Sequence, residues 1–256
     1  MAIRASIRHW SPFRSKVAPS FLAGTAPAPR IQVPMRVTRR RFSTCLLGAG
    51  LGTALSGASA QVAPTEGVHY VRLADPAPTL AGKIEVIEFF WYECPHCNAL
   101  EPALDAWAKR LPEDVAFRRV PVWFREEPFA LQQRLFYALE VLGLVPTLHR
   151  KVFQTIHTER IRLRTAEDVA AFAFKNGVDP VAFMTTFNSF GVQTKSQQAR
   201  QTAAAYRIDA VPALGVNGRY YTNGNLANSG LPPGPIDRML GVVDVLIGKA
   251  RQGARD

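Results

Sequence analysis

The sequence predicts an α/β fold in which a block of helices interrupts a strand–helix unit. First, an apolar run at 84–92 fills both alternating faces, which is typical of a central strand covered by helices. Second, about 80 residues of helical periodicity follow the next strand signal. Third, strand signals return at ALGV and RYYT around the turn Asn217-Gly218. This order indicates one α/β domain that carries a helical insertion.

Each element follows from its local pattern. Strands are predicted at 70–73, 84–92 and 115–122, with Pro121 interrupting the third, and a helix is predicted at 94–110. The helical block has segments at 129–142, 146–157, 166–175, 180–188 and 194–206, with stops at Gly143, Gly177 and Gly191. A last helix is predicted at 236–250. These bounds predict an α/β domain from 61–125 and 207–256, with the insertion at 126–206.

Positive charge is concentrated at the amino end of the chain. Of the 31 Lys and Arg residues, nine lie in residues 1–60, which contain no Asp or Glu, so 22 basic residues face 20 acidic ones in the rest. The net charge of +11 therefore does not indicate a nucleic-acid partner. We expect residues 1–34 to be a non-native or disordered extension, with a transit peptide as the alternative.

Residues 35–60 have the layout of a secretory signal peptide. A basic start precedes an apolar middle at 46–55 and the small residues Ala58-Ser59-Ala60, which predicts cleavage before Gln61. The apolar run is shorter than the roughly 20 residues that cross a bilayer. Its basic start, TRRRF at 38–42, resembles a twin-arginine export motif, and an ordinary Sec signal is the alternative.

Cys94-Pro95-His96-Cys97 follows the central strand directly, and Cys45 would leave with the leader. Pro95 suits the first position of a helix, so unpaired N–H groups and the helix dipole should favour the Cys94 thiolate, assisted by His96. Cys97 lies one turn further in, which suits a reversible disulfide with an outer sulfur open to attack and an inner sulfur that resolves the mixed disulfide.

Two other readings of the cysteine pair stay open at this point. Half of a zinc site would need a second pair of ligands, and after the leader the only histidines besides His96 are those at 69, 149 and 157, without further cysteines. A purely structural disulfide would stabilise little, because the loop that it closes is so short. We therefore expect no metal and no cofactor.

Glu88 lies in the middle of the central strand, between Ile87 and Phe89. An unpaired carboxylate at such a buried position would have a raised pKa and could exchange a proton with Cys97. The alternative is that a Lys or Arg at the sheet edge pairs with it. Glu101, one turn beyond Cys97, would either tune Cys94 or lie on a solvated helix face.

The segments EVIEFF, CPHC and AVPALGVNGRYY, together with the length of the helical block, resemble the DsbA family of periplasmic thiol:disulfide oxidases over residues 66–250. The resemblance implies a thioredoxin fold with an inserted all-helical domain. A depressed cysteine pKa and an oxidising dithiol are established properties of this family. Cys94 would be the nucleophile, Cys97 the resolving thiol and Glu88 the buried acid.

The resemblance also implies that Val211-Pro212 forms a cis peptide bond beside the dithiol, with the Val211 backbone free to pair with an extended substrate segment. An ordinary trans turn proline is the alternative at Pro212.

The function implied by the resemblance is oxidation of reduced exported proteins in the periplasm, followed by reoxidation by a membrane quinone reductase that resembles DsbB. The alternatives are a disulfide isomerase or reductase, and a non-catalytic, chaperone-like binder of extended chains. Isomerases of this superfamily carry an N-terminal dimerisation domain, whereas only about 10 to 25 residues would precede the first strand after cleavage. We therefore expect a monomer.

Overall fold

The structure is a computed structural model, and it describes residues 63–125, 128–232 and 234–253. The extension predicted at 1–34 and the signal peptide predicted at 35–60 lie outside the described residues.

Five strands form one mixed sheet. They are β1 (Val71–Arg72), β2 (Ile84–Phe90), β3 (Val115–Pro121), β4 (Ala213–Val216) and β5 (Tyr220–Asn223), arranged in the order β1-β5-β4-β2-β3. β2 runs parallel to β3 and antiparallel to β4, and all seven of its residues are buried, as its apolar run predicted. Pro121 is the last residue of β3 and does not interrupt the strand. A proline is tolerated there because β3 is an edge of the described sheet, where a missing N–H costs no ladder bond.

Eight helices complete the described fold: α1 (Pro95–Ala108), α2 (Phe129–Val141), α3 (Val145–His157), α4 (Ala166–Lys175), α5 (Pro180–Phe187), α6 (Phe190–Ala205), α7 (Gly224–Ala227) and α8 (Arg238–Gln252). Thr165 and Asp168 form a capping box that starts α4 at the predicted residue. α6 begins four residues earlier than predicted, because the Ser189 side chain caps it. Gly191, a predicted stop, lies in its first turn. Among the described helices, none has both the length and the apolar character needed to cross a bilayer.

The helices α2 to α6 lie between β3 and β4 in the chain, where the sequence predicted a helical insertion. Two hydrophobic clusters form the core. One joins strand residues such as Val86 and Leu214 to α1 and α8. The other joins Phe89, Phe90, Cys94 and Cys97 to α2 through α6. The dithiol therefore lies where the sheet meets the helical block.

Candidate active site

The two cysteines lie at the start of α1, directly after the central strand. Cys94 is the N-cap residue and Pro95 occupies the first turn, as the sequence predicted. Both thiols are free and buried, Cys94 with 8% of its surface exposed and Cys97 with none. Pro95 and His96 are exposed beside them. The outer sulfur is therefore Cys94, and only this sulfur lies near the surface.

The site favours ionisation of one thiol and opposes ionisation of the other. A hydrogen bond from the Cys97 thiol, the backbone N–H groups of Cys97 and His96 and the charge of His96 together outweigh burial and lower the pKa of Cys94 to about 6. Burial, the hydrogen bond to Cys94 and the nearby negative groups raise the pKa of Cys97 well above its usual value. At neutral pH the reduced pair therefore holds a Cys94 thiolate and a protonated Cys97.

A loop from the far end of the chain lies against Cys94. The Cys94 Sγ is 3.5 Å from the carbonyl oxygen of Val211, and the Val211–Pro212 peptide bond is cis, as the resemblance implied. β4 begins at Ala213, one residue after this proline, and pairs with β2. The sheet therefore fixes the loop beside the dithiol.

Glu88 is fully buried, but the expectation that it is unpaired is wrong. It is directly opposite Arg119 in the β2–β3 register, and its Oε2 accepts a hydrogen bond from Arg119 Nε at 3.0 Å. The alternative, a basic partner on the sheet edge, describes the geometry. Glu88 Oε1 has no partner among the described residues, and burial together with the charge of Glu101 raises the pKa of Glu88 well above its usual value despite Arg119.

Arg119 joins three carboxylates at this point. Its Nη2 donates to Glu101 Oε2 at 3.0 Å and to Asp105 Oδ1 at 2.6 Å, in addition to the Nε contact with Glu88. Glu101 is fully buried, so of the two possibilities for this residue the solvated helix face is wrong. Sequence reasoning missed Arg119 and Asp105. The available signal was the pair of adjacent arginines in β3. Because successive residues of a strand point to opposite faces, such a pair places one arginine on each face of the sheet.

The helical block holds the segment before Cys94 from three elements. Glu93 accepts hydrogen bonds from Gln132 of α2 at 3.0 Å and from Arg164 Nε, after α3, at 2.8 Å. His157 of α3 donates to the Tyr92 carbonyl oxygen at 2.8 Å. None of these contacts was predicted, because each joins residues that are distant in sequence. They fix the position from which α1 and its dithiol begin.

A dithiol at the start of the helix after the central strand, faced by a cis-proline loop, defines a disulfide oxidoreductase with a thioredoxin-like fold. The family model described as DSBA-like thioredoxin domain matches residues 85–230, and the chain belongs to this family.

Known DsbA proteins are similar to the chain over most of its length. Thiol:disulfide interchange protein DsbA of Bordetella pertussis is 43% identical over 213 residues, which cover 82% of this chain and 98% of that protein. DsbA of Azotobacter vinelandii is 40% identical over 214 residues, or 80% and 97%. The crystal structure of Pseudomonas aeruginosa DsbA is similar with a TM-score of 0.70 at 38% identity, covering 75% of this chain and 97% of that one. These similarities confirm the predicted fold and the family.

Proposed function

We propose that the chain is a dithiol oxidase that donates the Cys94–Cys97 disulfide to reduced exported proteins. The observation that carries this proposal is the opposite effect of the site on the two thiols, which stabilises the reduced pair as a Cys94 thiolate. A dithiol that is stabilised when reduced forms an unstable disulfide, and such a disulfide oxidises other thiols.

The exchange begins when a substrate thiolate attacks Cys94 Sγ. A substrate–Cys94 disulfide forms, the Cys94–Cys97 bond breaks, and Cys97 leaves with the electron pair and takes up a proton. A second substrate thiolate then attacks the substrate sulfur of the mixed disulfide and releases Cys94 as its stable thiolate. Two electrons pass from the substrate dithiol to the cysteine pair, and the substrate gains a disulfide.

Four further residues support the exchange in this proposal. Glu88, buried behind the pair, gives a proton to Cys97 as that sulfur leaves and takes it back during reoxidation. The main chain of Val211, beside Cys94, pairs with an extended substrate segment. His96 and Pro95 act at the mouth of the site, where His96 supports the Cys94 thiolate and Pro95 starts the helix.

Membership of the family supports a proposal for the partners and the location. We place the protein in the periplasm as a monomer, with reduced exported proteins as substrates and a membrane quinone reductase that resembles DsbB as the reoxidant. The division into an α/β domain at 61–125 and 207–256 and a helical domain at 126–206 belongs to the same proposal.

The first experiment is equilibration of the chain from Gln61 onward with glutathione buffers, followed by oxidation of a reduced, unfolded test protein. An oxidase keeps its pair reduced where glutathione is partly oxidised, and Cys94→Ser loses all oxidation. Cys97→Ser lacks the thiol that closes the pair, so in glutathione disulfide it should instead accumulate a Cys94–glutathione mixed disulfide. A pair that stays oxidised under these conditions would indicate a reductase, and undiminished activity of Cys94→Ser would indicate a non-catalytic binder.

The role of Glu88 has a matched control in the same two strands. Glu85 is also buried in β2 and pairs with Arg118 of β3 at 2.8 Å, through the adjacent arginine of that strand. Glu88→Gln should slow the exchange and change the pH dependence of its rate, whereas Glu85→Gln should affect stability alone. Equal rate effects of both variants would contradict proton transfer by Glu88.

A further inference from the structure

A chain of hydrogen bonds connects the helical block to the buried acids behind the dithiol. The Tyr92 hydroxyl lies 2.9 Å from His149 Nδ1, and His149 Nε2 lies 3.0 Å from Glu101 Oε1. Glu101 then contacts Arg119, which contacts Glu88. His149 belongs to α3, whereas the other four residues belong to the sheet, the turn after it and α1. It is therefore the one contribution of the helical block to this chain of bonds.

The surroundings of His149 favour a neutral imidazole. Its side chain is 4% exposed and packs edge-on against the rings of Phe90, Phe136 and Phe153. Burial lowers its pKa below the usual value, against the opposing effect of Glu101.

The two neighbours of the ring fix its tautomer. The pKa of Glu101 is lowered, so its ionised carboxylate can only accept from His149 Nε2. Nδ1 of the neutral ring must accept from the Tyr92 hydroxyl, whose proton is retained because burial raises its pKa. The remaining ring proton is then on Nε2, which donates to Glu101 Oε1. Arg119 and Asp105 are the next charged groups outward from this pair.

The two buried carboxylates receive unequal support. Each oxygen of Glu101 accepts a hydrogen bond, one from His149 and one from Arg119. Glu88 has a donor on Oε2 only. Because both carboxylates, together with Asp105, share one guanidinium, ionising both buried acids would leave excess negative charge in the core.

We propose that His149 is a positioning residue for disulfide exchange, which holds the negative charge on Glu101 and leaves the proton on Glu88. This inference rests on the proposed function and deepens it. Glu88 is the carboxylate whose charge acts on the Cys97 thiol. An imidazole of the helical block thus keeps the negative charge off the carboxylate that acts on Cys97 and keeps a proton available on that carboxylate.

Loss of the imidazole should move the charge toward the dithiol. In His149→Leu, Glu101 Oε1 is buried without a donor, so Glu101 takes the proton and Glu88 ionises against Arg119. The negative charge on Glu88 disfavours the Cys94 thiolate. We expect a higher ionisation midpoint for Cys94 and a glutathione equilibrium shifted about two- to tenfold toward the oxidised protein.

A double-mutant cycle tests the mechanism. Glu88→Gln carries no charge, so adding His149→Leu to it should change neither the Cys94 midpoint, read from thiolate absorbance, nor the glutathione equilibrium. His149→Gln retains an N–H donor and should shift both less than leucine does. His69→Leu is the matched control, because it removes a buried imidazole that has no contact with these acids among the described residues.

An equal shift in the Glu88→Gln background would overturn the proposal, as would an unchanged midpoint in folded His149→Leu. If the leucine variant does not fold, Glu101→Gln tests the same redistribution, because it also transfers the ionised carboxylate to Glu88; an unchanged midpoint there refutes the proposal. Failure of the proposed oxidase function would be recognised separately, in the glutathione equilibrium of the unmodified protein.

Discussion

The equilibrium between the reduced protein and glutathione disulfide should depend on pH through Cys94. The site lowers the pKa of Cys94 from its ordinary value of 9.0 to about 6 and raises that of Cys97. Between these values the reduced pair carries one proton, whereas the two glutathione thiols that form, with pKa values of about 8.5, carry two. Oxidation of the protein by glutathione disulfide therefore takes up one proton.

The magnitude follows from this proton count. The equilibrium constant for that oxidation should fall about tenfold for each pH unit from roughly pH 6.5 to pH 8, and should be flat below about pH 5.5. The depressed pKa stabilises the reduced form fully above the ordinary thiol pKa, and this stabilisation is lost as pH falls through about 6. At pH 7 the depressed pKa of Cys94 contributes about 1 kcal/mol to the stability of the reduced form.

The assay is equilibration in glutathione buffers at several pH values, followed by acid quenching, alkylation and separation of the two forms. Thiolate absorbance gives the ionisation of Cys94 independently, and the Cys94→Ser variant should show no transition near pH 6. An equilibrium constant that is flat up to pH 8 would refute the reasoning, because it would mean that Cys94 stays protonated in the reduced protein.

Three further predictions concern stability, each measured by urea unfolding of the reduced protein. Arg119→Met should lower the free energy of unfolding by about 3–5 kcal/mol at neutral pH, because it leaves buried carboxylates without a cation. The loss should shrink as pH falls and the carboxylates take up protons, and an equal loss at low pH would contradict this reasoning. Gly218→Ala should lower the free energy of unfolding by more than the roughly 1 kcal/mol expected of Gly67→Ala. Both glycines have a positive φ, but of the two only Gly218 would place the new Cβ against a backbone oxygen. Equal losses in the two variants would refute this steric argument. Trp107→Phe should lower the free energy of unfolding by about 1 kcal/mol, because it removes the 2.7 Å hydrogen bond from the indole N–H to Asp244. Adding Asp244→Ala to that variant should then lower it little further.

Local pattern was sufficient to predict the parts of the fold that depend on neighbours in sequence. β2 shows as an apolar run, the dithiol as a CxxC pair behind it, and the helical block as repeated helical periodicity with glycine stops. The short helix α7 was missed, because four residues are too few to show a period. The early start of α6 was missed because the Ser189 cap overrides the glycine two residues later.

The buried acid network depended on register, which the sequence does not state. Glu85 and Glu88 lie in β2, and Arg118 and Arg119 lie in β3. In the observed register Glu88 lies directly opposite Arg119, whereas Glu85 lies opposite Ala116 and reaches Arg118 through a diagonal side-chain contact. The contacts of His149 could not be predicted from the sequence for a similar reason. It appeared there only as one of three histidines unable to complete a zinc site, whereas its partners Tyr92 and Glu101 are 57 and 48 positions away.

The contact between Cys94 and Val211 spans 117 positions, so it also bears on how the chain is made. Synthesis proceeds from the amino end, and the segment from 84 to 121 supplies β2, α1 and β3 long before β4 exists to pair with the other side of β2. A nascent chain that has reached only α6 holds the cysteine pair without the loop that later covers it. The site is thus completed by the last quarter of the polypeptide, and pairing of such distant segments slows folding.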